Sequence, residues 1–565
     1  KTSNLRFIAG FEGDVGVWSW ESALNYSLSE STQTAVAGIY DRYRFNAALY
    51  GELCADGTTD CSPSDGGIWY NPFGTQSGNE QALSIIEQHP DRKGKSEVIG
   101  WDLKLNGEVF EIPVVFGLEA RREEISDNPS DLAVAKLEND YIVDVIDFGS
   151  SRVSASREQW AAFAEFNVPL ADNVDLLGAL RYDHYSDFGG DFNPKVGIRW
   201  QLMEDLIVRG SWSTSFRAPS LSQSGAELRT TSFNARCLEP FAGAFCGDAA
   251  ELTPNSLEVG NPDLKAEESQ SANLGFAYSP TKDINITVDY WQYKHEKVVD
   301  VDGEGFLTQA YNNPEDLLYC GLVPEGKLGV SIDPYYCTYD VDGVEGQTLT
   351  AAQLATLEGL GVNDLLYRDH VLQLENIGEQ VTRGFDVTYT QYIDNVGAGT
   401  LKLTADVTQI LEFTRNRTAM AEEEQLEGSF RYPEVIASLG VSYNLDDLSL
   451  GLKGYYTSGY EDETFTLSDF DFLYIEEHTG EVIYNVVELD NGDTKLKAKP
   501  RDVASWLTLD AYVSYRFSDN VRARLSVNNV TDEAPPFVYG GYRNVDFINH
   551  DSMGRYFNFA VEMDF

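Results

Sequence analysis

Basic residues are scarce in this 565-residue chain: 41 Lys and Arg stand against 91 Asp and Glu, a formal charge of −50. Such a polyanion repels phosphate backbones, which excludes nucleic acid as a partner. No apolar run approaches the ~18 residues of a membrane-crossing helix. Mean hydropathy is only −0.31, yet alternating strands that hide one greasy face average to similar values, so a membrane barrel stays open. Methionine is rare at 4 residues, while 31 Tyr, 29 Phe and 48 Gly suit β structure rich in turns.

Enzyme motifs are also lacking. His295-Glu296 has no second histidine at HExxH spacing, no GxSxG elbow occurs, and Gly321 to Leu328 (GLVPEGKL) lacks the Ser or Thr of a phosphate loop. The expectation is a protein that is not an enzyme. Cysteines number six and fall as local pairs, Cys54 and Cys61, Cys237 and Cys246, Cys320 and Cys337. Without CxxC or Cys/His metal spacing they read as three loop-closing disulfides of an oxidising compartment, the alternative being free structural thiols.

What is present is period-2 alternation. In the last residues Phe557, Phe559, Val561, Met563 and Phe565 are apolar, while Tyr556, Asn558, Ala560, Glu562 and Asp564 between them are small, polar or amphipathic. Leu507 to Phe517 repeats the split against Asp510 and Arg516, and Val521 to Val527 repeats it against Arg522 and Arg524. Strands of about ten residues with charge on one face are the mark of a transmembrane β-strand. The chain holds about seventeen of them, the first near Leu5 to Glu12 and Trp18 to Ser29, and single-chain bacterial barrels use even numbers. Short turns at Leu170 to Val174, Met203 to Leu206, Pro280 to Asn285, Asn444 to Leu448 and Ser518 to Val521 alternate with long connections. The long ones include Arg217 to Ser269, Lys294 to Gln380, Ser458 to Ser505 and Val530 to Met553. That asymmetry is the build of an outer-membrane antiparallel barrel with long loops outward. Thr350 to Leu360 reads as a short helix within one loop.

Several segments, taken in order, resemble the β-barrel domain of TonB-dependent outer-membrane receptors: Ser211 to Ser220 (SWSTSFRAPS), Asn261 to Glu268 (NPDLKAEE), Thr382 to Tyr389 (TRGFDVTY), Asn528 to Pro536 (NNVTDEAPP) and the terminal aromatic strand. The resemblance covers nearly all of residues 1–565. It implies an all-β barrel of about 22 strands in the outer membrane of a Gram-negative bacterium. It also implies a plug domain that gates import with energy relayed by the TonB complex. Neither plug nor TonB box is visible, so both are expected before Lys1 with about five further strands. Outer-membrane lipid and lipopolysaccharide, the barrel-assembly machinery and a small nutrient ligand are the implied partners. Phe557, Phe559, Val561, Met563 and Phe565 look like the family's C-terminal assembly signal.

Recognition belongs to the long loops. Ring stacking nominates Trp69, Tyr70, Tyr335, Tyr336, Tyr460 and Phe465, with Arg217 of the FRAP segment, although Tyr and Trp also form interface girdles. Asp510, Arg516, Arg522, Arg524 and Glu562 are expected on the lumen face, steering a solute, contacting a plug or pairing across strands. No resident cofactor is expected. Asp300, Asp302 and Glu304 (DVDGEG) have the odd-position spacing of a calcium loop, but the bidentate Glu expected beyond Gly305 is absent and Asp-Gly makes a tight turn, which is the favoured reading. Haem is disfavoured, because similar haem receptors carry a histidine between the FRAP and NPDL-like segments and none lies between Arg217 and Asn261. Oligosaccharides, peptides and neutral or cationic metal chelates remain, with oligosaccharide or peptide the expectation. A passive porin or surface adhesin is the competing reading, and a soluble β-rich carbohydrate-active protein a third.

Overall fold

The computed structural model describes all residues except 135, 139–140, 144, 147, 228, 233–234, 237–250, 253–254, 304–330, 333–337, 342–343, 349–370, 418–422, 463–483, 489–493, 499–501, 539–543 and 565. Its frame is one large antiparallel sheet of seventeen principal strands. In chain order these are β1 (Thr2–Val15), β2 (Trp18–Thr34), β3 (Asp91–Val109), β4 (Ile112–Pro129), β5 (Val153–Ala171) and β6 (Val174–Tyr185). Then come β7 (Gly189–Met203), β8 (Leu206–Arg217), β9 (Glu267–Thr281), β10 (Ile284–Val301), β11 (Val371–Val396) and β12 (Gly399–Asn416). The last are β13 (Val435–Leu445), β14 (Leu448–Thr457), β15 (Trp506–Ser518), β16 (Val521–Asn528) and β17 (Tyr556–Met563). Each pairs with its successor, giving sixteen consecutive ladders. Among the described residues β1 and β17 do not pair with each other.

Register assigns every side chain to one of two faces, because directly opposed residues share a face. Following the ladders from Leu24 to Trp101, Ala120, Trp160 and His184 traces an outer face; one residue away, Ala23, Asp102, Glu119, Ala161 and Asp183 trace the inner one. Large apolar side chains on the outer face are bare: Phe7 is 62% exposed, Leu274 62%, Leu439 61% and Phe559 68%. Water would not tolerate that density of exposed hydrocarbon, whereas lipid requires it. The inner face is polar and self-satisfied. Arg181 binds Glu119 and Asp183, each at 2.8 Å, and Arg157 binds Glu123 at 3.0 Å.

Every connection from an odd to an even strand is a two-residue turn, such as 16–17, 172–173 and 446–447, and every connection from an even to an odd strand lies at the opposite edge. Residues 186–188 form the one short link on that second side; the others are long. One boundary differs from expectation. The Lys294 to Gln380 connection is partly strand, since β10 and β11 continue as a ladder from Lys294↔Val381 to Val301↔Leu374. Beyond the lipid nothing requires an apolar face, so the hydrophobic alternation fades while the hydrogen bonds persist. The Thr350 to Leu360 helix lies outside the described residues.

The first long connection is a folded unit of its own. Helix α1 (Arg42–Tyr50) is capped by Asp41, which accepts from Arg44 N, and ends at Gly51 in the left-handed region (φ 71°). Helix α2 (Glu80–Ile86) packs beside it, burying Ala47, Ala48, Leu53, Ile68, Ala82 and Ile86. The Cys54–Cys61 disulfide closes this unit. The other two expected cysteine pairs lie outside the described residues.

Candidate functional site

A cavity of about 640 Å³ with polar walls opens on the inner face at the long-loop ends of β12 to β17. Its walls follow from register: Asp406, Ser438, Tyr455 and Thr508 stand opposite one another on adjacent strands, and Asp510, Asn528 and Tyr556 continue the surface. Residues Phe547 to Asp551 of the final connection (529–555) form a roof. The wall carboxylates are held in place, Asp406 accepting from Ser438 Oγ (3.2 Å) and Asp510 from Asn528 Nδ2 (2.8 Å) and Asn529 N (2.9 Å). Carboxylates, hydroxyls and rings around one cavity suit a polar ligand with planar or hydroxyl-bearing parts.

A buried knot clamps the roof. Asp546, 1% exposed, accepts from Tyr460 Oη (2.7 Å), Asn549 Nδ2 (2.7 Å) and Ile548 N (3.0 Å). Burial alone would raise its carboxyl, but the hydrogen bonds from Asn549, Tyr460 and Ile548 outweigh it and hold the group below the ordinary carboxylate value. Burial, and then the same bond, raises the Tyr460 phenol. Asn549 also donates to Arg431 O at 3.0 Å, which ties in the 417–434 connection, and Val503 and Val538 pack on Tyr460. His550 stacks on Tyr460 (centroids 6.0 Å, 11°) and meets the edge of Trp506 at 5.3 Å. It is 4% exposed and neither ring nitrogen has a hydrogen-bond partner among the described residues, and burial lowers its pKa.

The residues nominated from sequence are dispersed. Trp69 is 53% exposed on the first loop unit and lies so close over Gly51 that a Cβ there would come within 2.3 Å of its ring. Tyr70 packs against Tyr40 and Phe45 in that unit's core, which makes it a packing residue. Arg217 ends β8 in an ion pair with Glu267. Tyr460, expected to present a ring to ligand, is 4% exposed and clamps the roof instead. Tyr335, Tyr336 and Phe465 lie outside the described residues. Asp510, Arg516, Arg522, Arg524 and Glu562 share the polar face; Arg516 meets Asp447 at 3.8 Å, Arg522 meets Glu562 at 3.7 Å, and Arg524 lies 4.2 Å over the Tyr512 ring. Only Asp510 of these lines the cavity. Asp300 accepts from Val301 N at 2.8 Å, Glu304 is outside the described residues, and no group of three metal-ligating side chains occurs among those described. Asp546, His550 and Trp506 were not nominated. No local spacing marks them, since the contacts that bury them, Tyr460 with Asp546 and His550 with Tyr460 and Trp506, join residues far apart in sequence.

A family model, TonB dependent receptor-like, beta-barrel, matches residues 2–530. The chain belongs to that family. The receptor barrel is therefore an outer-membrane β-barrel of a Gram-negative bacterium. It is 26% identical over 281 residues to the iron-regulated outer membrane virulence protein of Vibrio cholerae, covering 47% of this chain and 37% of that one. It is 22% identical over 379 residues to the probable TonB-dependent siderophore receptor PirA of Acinetobacter baumannii, covering 66% and 39%. The crystal structure of the siderophore receptor PirA from Acinetobacter baumannii superposes with TM-score 0.58 at 16% identity, over 100% of this chain and 62% of that one. The receptor barrel thus spans less than two-fifths of the length of these curated relatives.

Proposed function

We propose that this chain forms most of the wall of a TonB-coupled receptor that imports a ferric siderophore. One observation carries the reading: the family match over residues 2–530 comes with relatives named for siderophores. That replaces the earlier expectation of an oligosaccharide or peptide. A metal chelate was the remaining class, and the cavity beneath the 529–555 connection, at about 640 Å³, has the size of a small-molecule pocket. Ligand enters from the long-loop side and meets the polar inner face. Edges of β1 and β17 left unpaired would be untenable in lipid, so further strands of the receptor pair with them, to an expected total of about 22. A lumen of that size needs a plug, and gating by TonB falls to it.

The experiment is binding to the full-length receptor in detergent, followed by tryptophan fluorescence, with a panel of ferric siderophores and, beside them, oligosaccharides and peptides. One ferric siderophore should saturate the signal, and Thr508→Trp, which fills the cavity, should weaken it at least tenfold. Saturation by a glycan or peptide alone would overturn the proposal.

A further inference from the structure

The inner wall is charged in two different ways. Along β3 to β10 arginine answers its carboxylates: Arg181 holds Glu119 and Asp183, Arg157 holds Glu123, and Arg209 holds Asp289. Around the cavity of β12 to β17 they go unanswered. Asp406, Asp510 and Asp551 line it, and Asp386 stands directly across from Thr408, which is also in the lining. None of these four makes an ion pair among the described residues, and no Lys or Arg occurs in the described lining. Lys453, the cross-strand neighbour of Asp510, lies with its Nζ over the Tyr455 ring at 4.9 Å, Arg524 lies over Tyr512, and Arg555 pairs with Asp532 at 3.5 Å.

Asp406 is the carboxylate this wall presents. It is exposed, and one of its oxygens accepts from Ser438 Oγ while the other has no partner among the described residues. Asp510 uses both oxygens on Asn528 and Asn529, and Asp386 accepts from Thr408 Oγ1 at 2.7 Å. Thr508 and the Tyr455 ring continue the row that starts at Asp406. From the roof comes His550, buried in the lining with neither ring nitrogen hydrogen-bonded among the described residues. A neutral imidazole so placed leaves one donor and one acceptor for an occupant.

We infer that this cavity selects a ferric chelate that has no net negative charge and carries a protonated amine, with the ammonium seated on Asp406. The inference rests on the siderophore reading above and narrows it. Iron(III) held by three catecholates has three negative charges, because each catecholate contributes two. Three hydroxamates contribute one each and leave the complex neutral. A trianion brought to this wall is opposed at contact by unpaired carboxylates and at long range by a chain of formal charge −50. A trihydroxamate meets neither barrier. Its amide N–H groups donate to the Thr408 and Ser438 oxygens, the Thr508 hydroxyl donates to a hydroxamate oxygen, and its methylene links lie on Tyr455 and Trp506. A pendant ammonium then makes a charge-assisted hydrogen bond to the free oxygen of Asp406, which becomes the specificity-determining residue.

The test is titration of the full-length receptor in detergent with three probes. One is ferrioxamine B, a linear ferric trihydroxamate with a pendant ammonium; the second is its N-acetylated form, which is neutral; the third is the ferric complex of a tris-catecholate. Ferrioxamine B should bind roughly tenfold more tightly than its acetylated form, and the tris-catecholate should not saturate. Asp406→Asn should bring the two trihydroxamates to equal affinity. Asp172→Asn, which removes the same charge at the short-turn edge, should leave the difference intact. Acetylation removes the contact without altering the protein, so it decides the matter even if Asp406→Asn fails to assemble. Equal binding of the two trihydroxamates, a difference that persists in Asp406→Asn, or saturation by the tris-catecholate would overturn the inference and leave the siderophore reading standing. Binding of no ferric siderophore at all would overturn both.

Discussion

The wall and the loops of this molecule are built by opposite rules. On the wall Phe7, Leu274, Leu439 and Phe559 are more than half exposed, and charge is turned inward. In the loops the order is that of a soluble protein: Ala48, Leu53, Ala82, Ile86 and Val538 are each 0% exposed, under polar surfaces. The lesson is that solvent, rather than the strand itself, decides which face is greasy. One chain uses both conventions.

The sharpest way to break that comparison is to place a charge on each face of one strand. Leu439→Arg, on the lipid face of β13, should cost about 2–4 kcal/mol of stability in detergent–lipid unfolding. Its neighbour Ser438→Arg, on the polar face, should cost well under 1 kcal/mol. Similar losses would mean that the outer face does not meet lipid. Next in size is the first loop unit. Cys54→Ser with Cys61→Ser releases a crosslink of sequence separation 7 and should lower the unit's local stability by roughly 2.5 kcal/mol on a chain-entropy basis. Hydrogen exchange should speed up in α1 and α2 and stay unchanged in β13 and β14.

Smaller effects separate the roof from the wall. Tyr460→Phe deletes one of three donors to buried Asp546 and should loosen the roof by about 1.5–3 kcal/mol, read as faster exchange at 546–550. The roof should also respond to pH. The folded pKa of His550 lies below its ordinary 6.5, so the closed roof disfavours the proton. Its stability is complete above the unfolded value and falls as pH drops through 6.5 and below. Asp546, also depressed, adds a loss in the same direction at more acidic pH. His550→Phe should remove the first phase and leave the second. Because both ring nitrogens are unpartnered, that substitution should cost little at pH 7.5. An unchanged midpoint would contradict the assignment.

The wall was legible because lipid imposes a period that a reader can see. Seventeen strands, the short turns and the faces of Asp510, Arg522 and Phe559 all follow from alternation. Where lipid ends, the signal ends, and so alternation carries no sign of the outer ladder of β10 and β11, which runs from Lys294 to Val301 with a bulge at Lys297. Tyr460 shows a second limit. A tyrosine in a polar loop reads as exposed, but its burial depends on Asp546, 86 residues further on, and local spacing carries no trace of that pairing. Cys54 and Cys61 were legible because their closure is local. The ligand class was not legible in charge or aromatic content, since both suit sugars and chelates alike, and it became arguable only through relatives.

The most direct test of the account is uptake of iron-55 as the ferric siderophore selected by the binding panel, into iron-starved cells carrying the full-length receptor. Uptake should saturate with concentration, require TonB, and collapse when a protonophore removes the proton-motive force. Uptake that rises linearly with concentration and survives the protonophore would show a passive pore and contradict it.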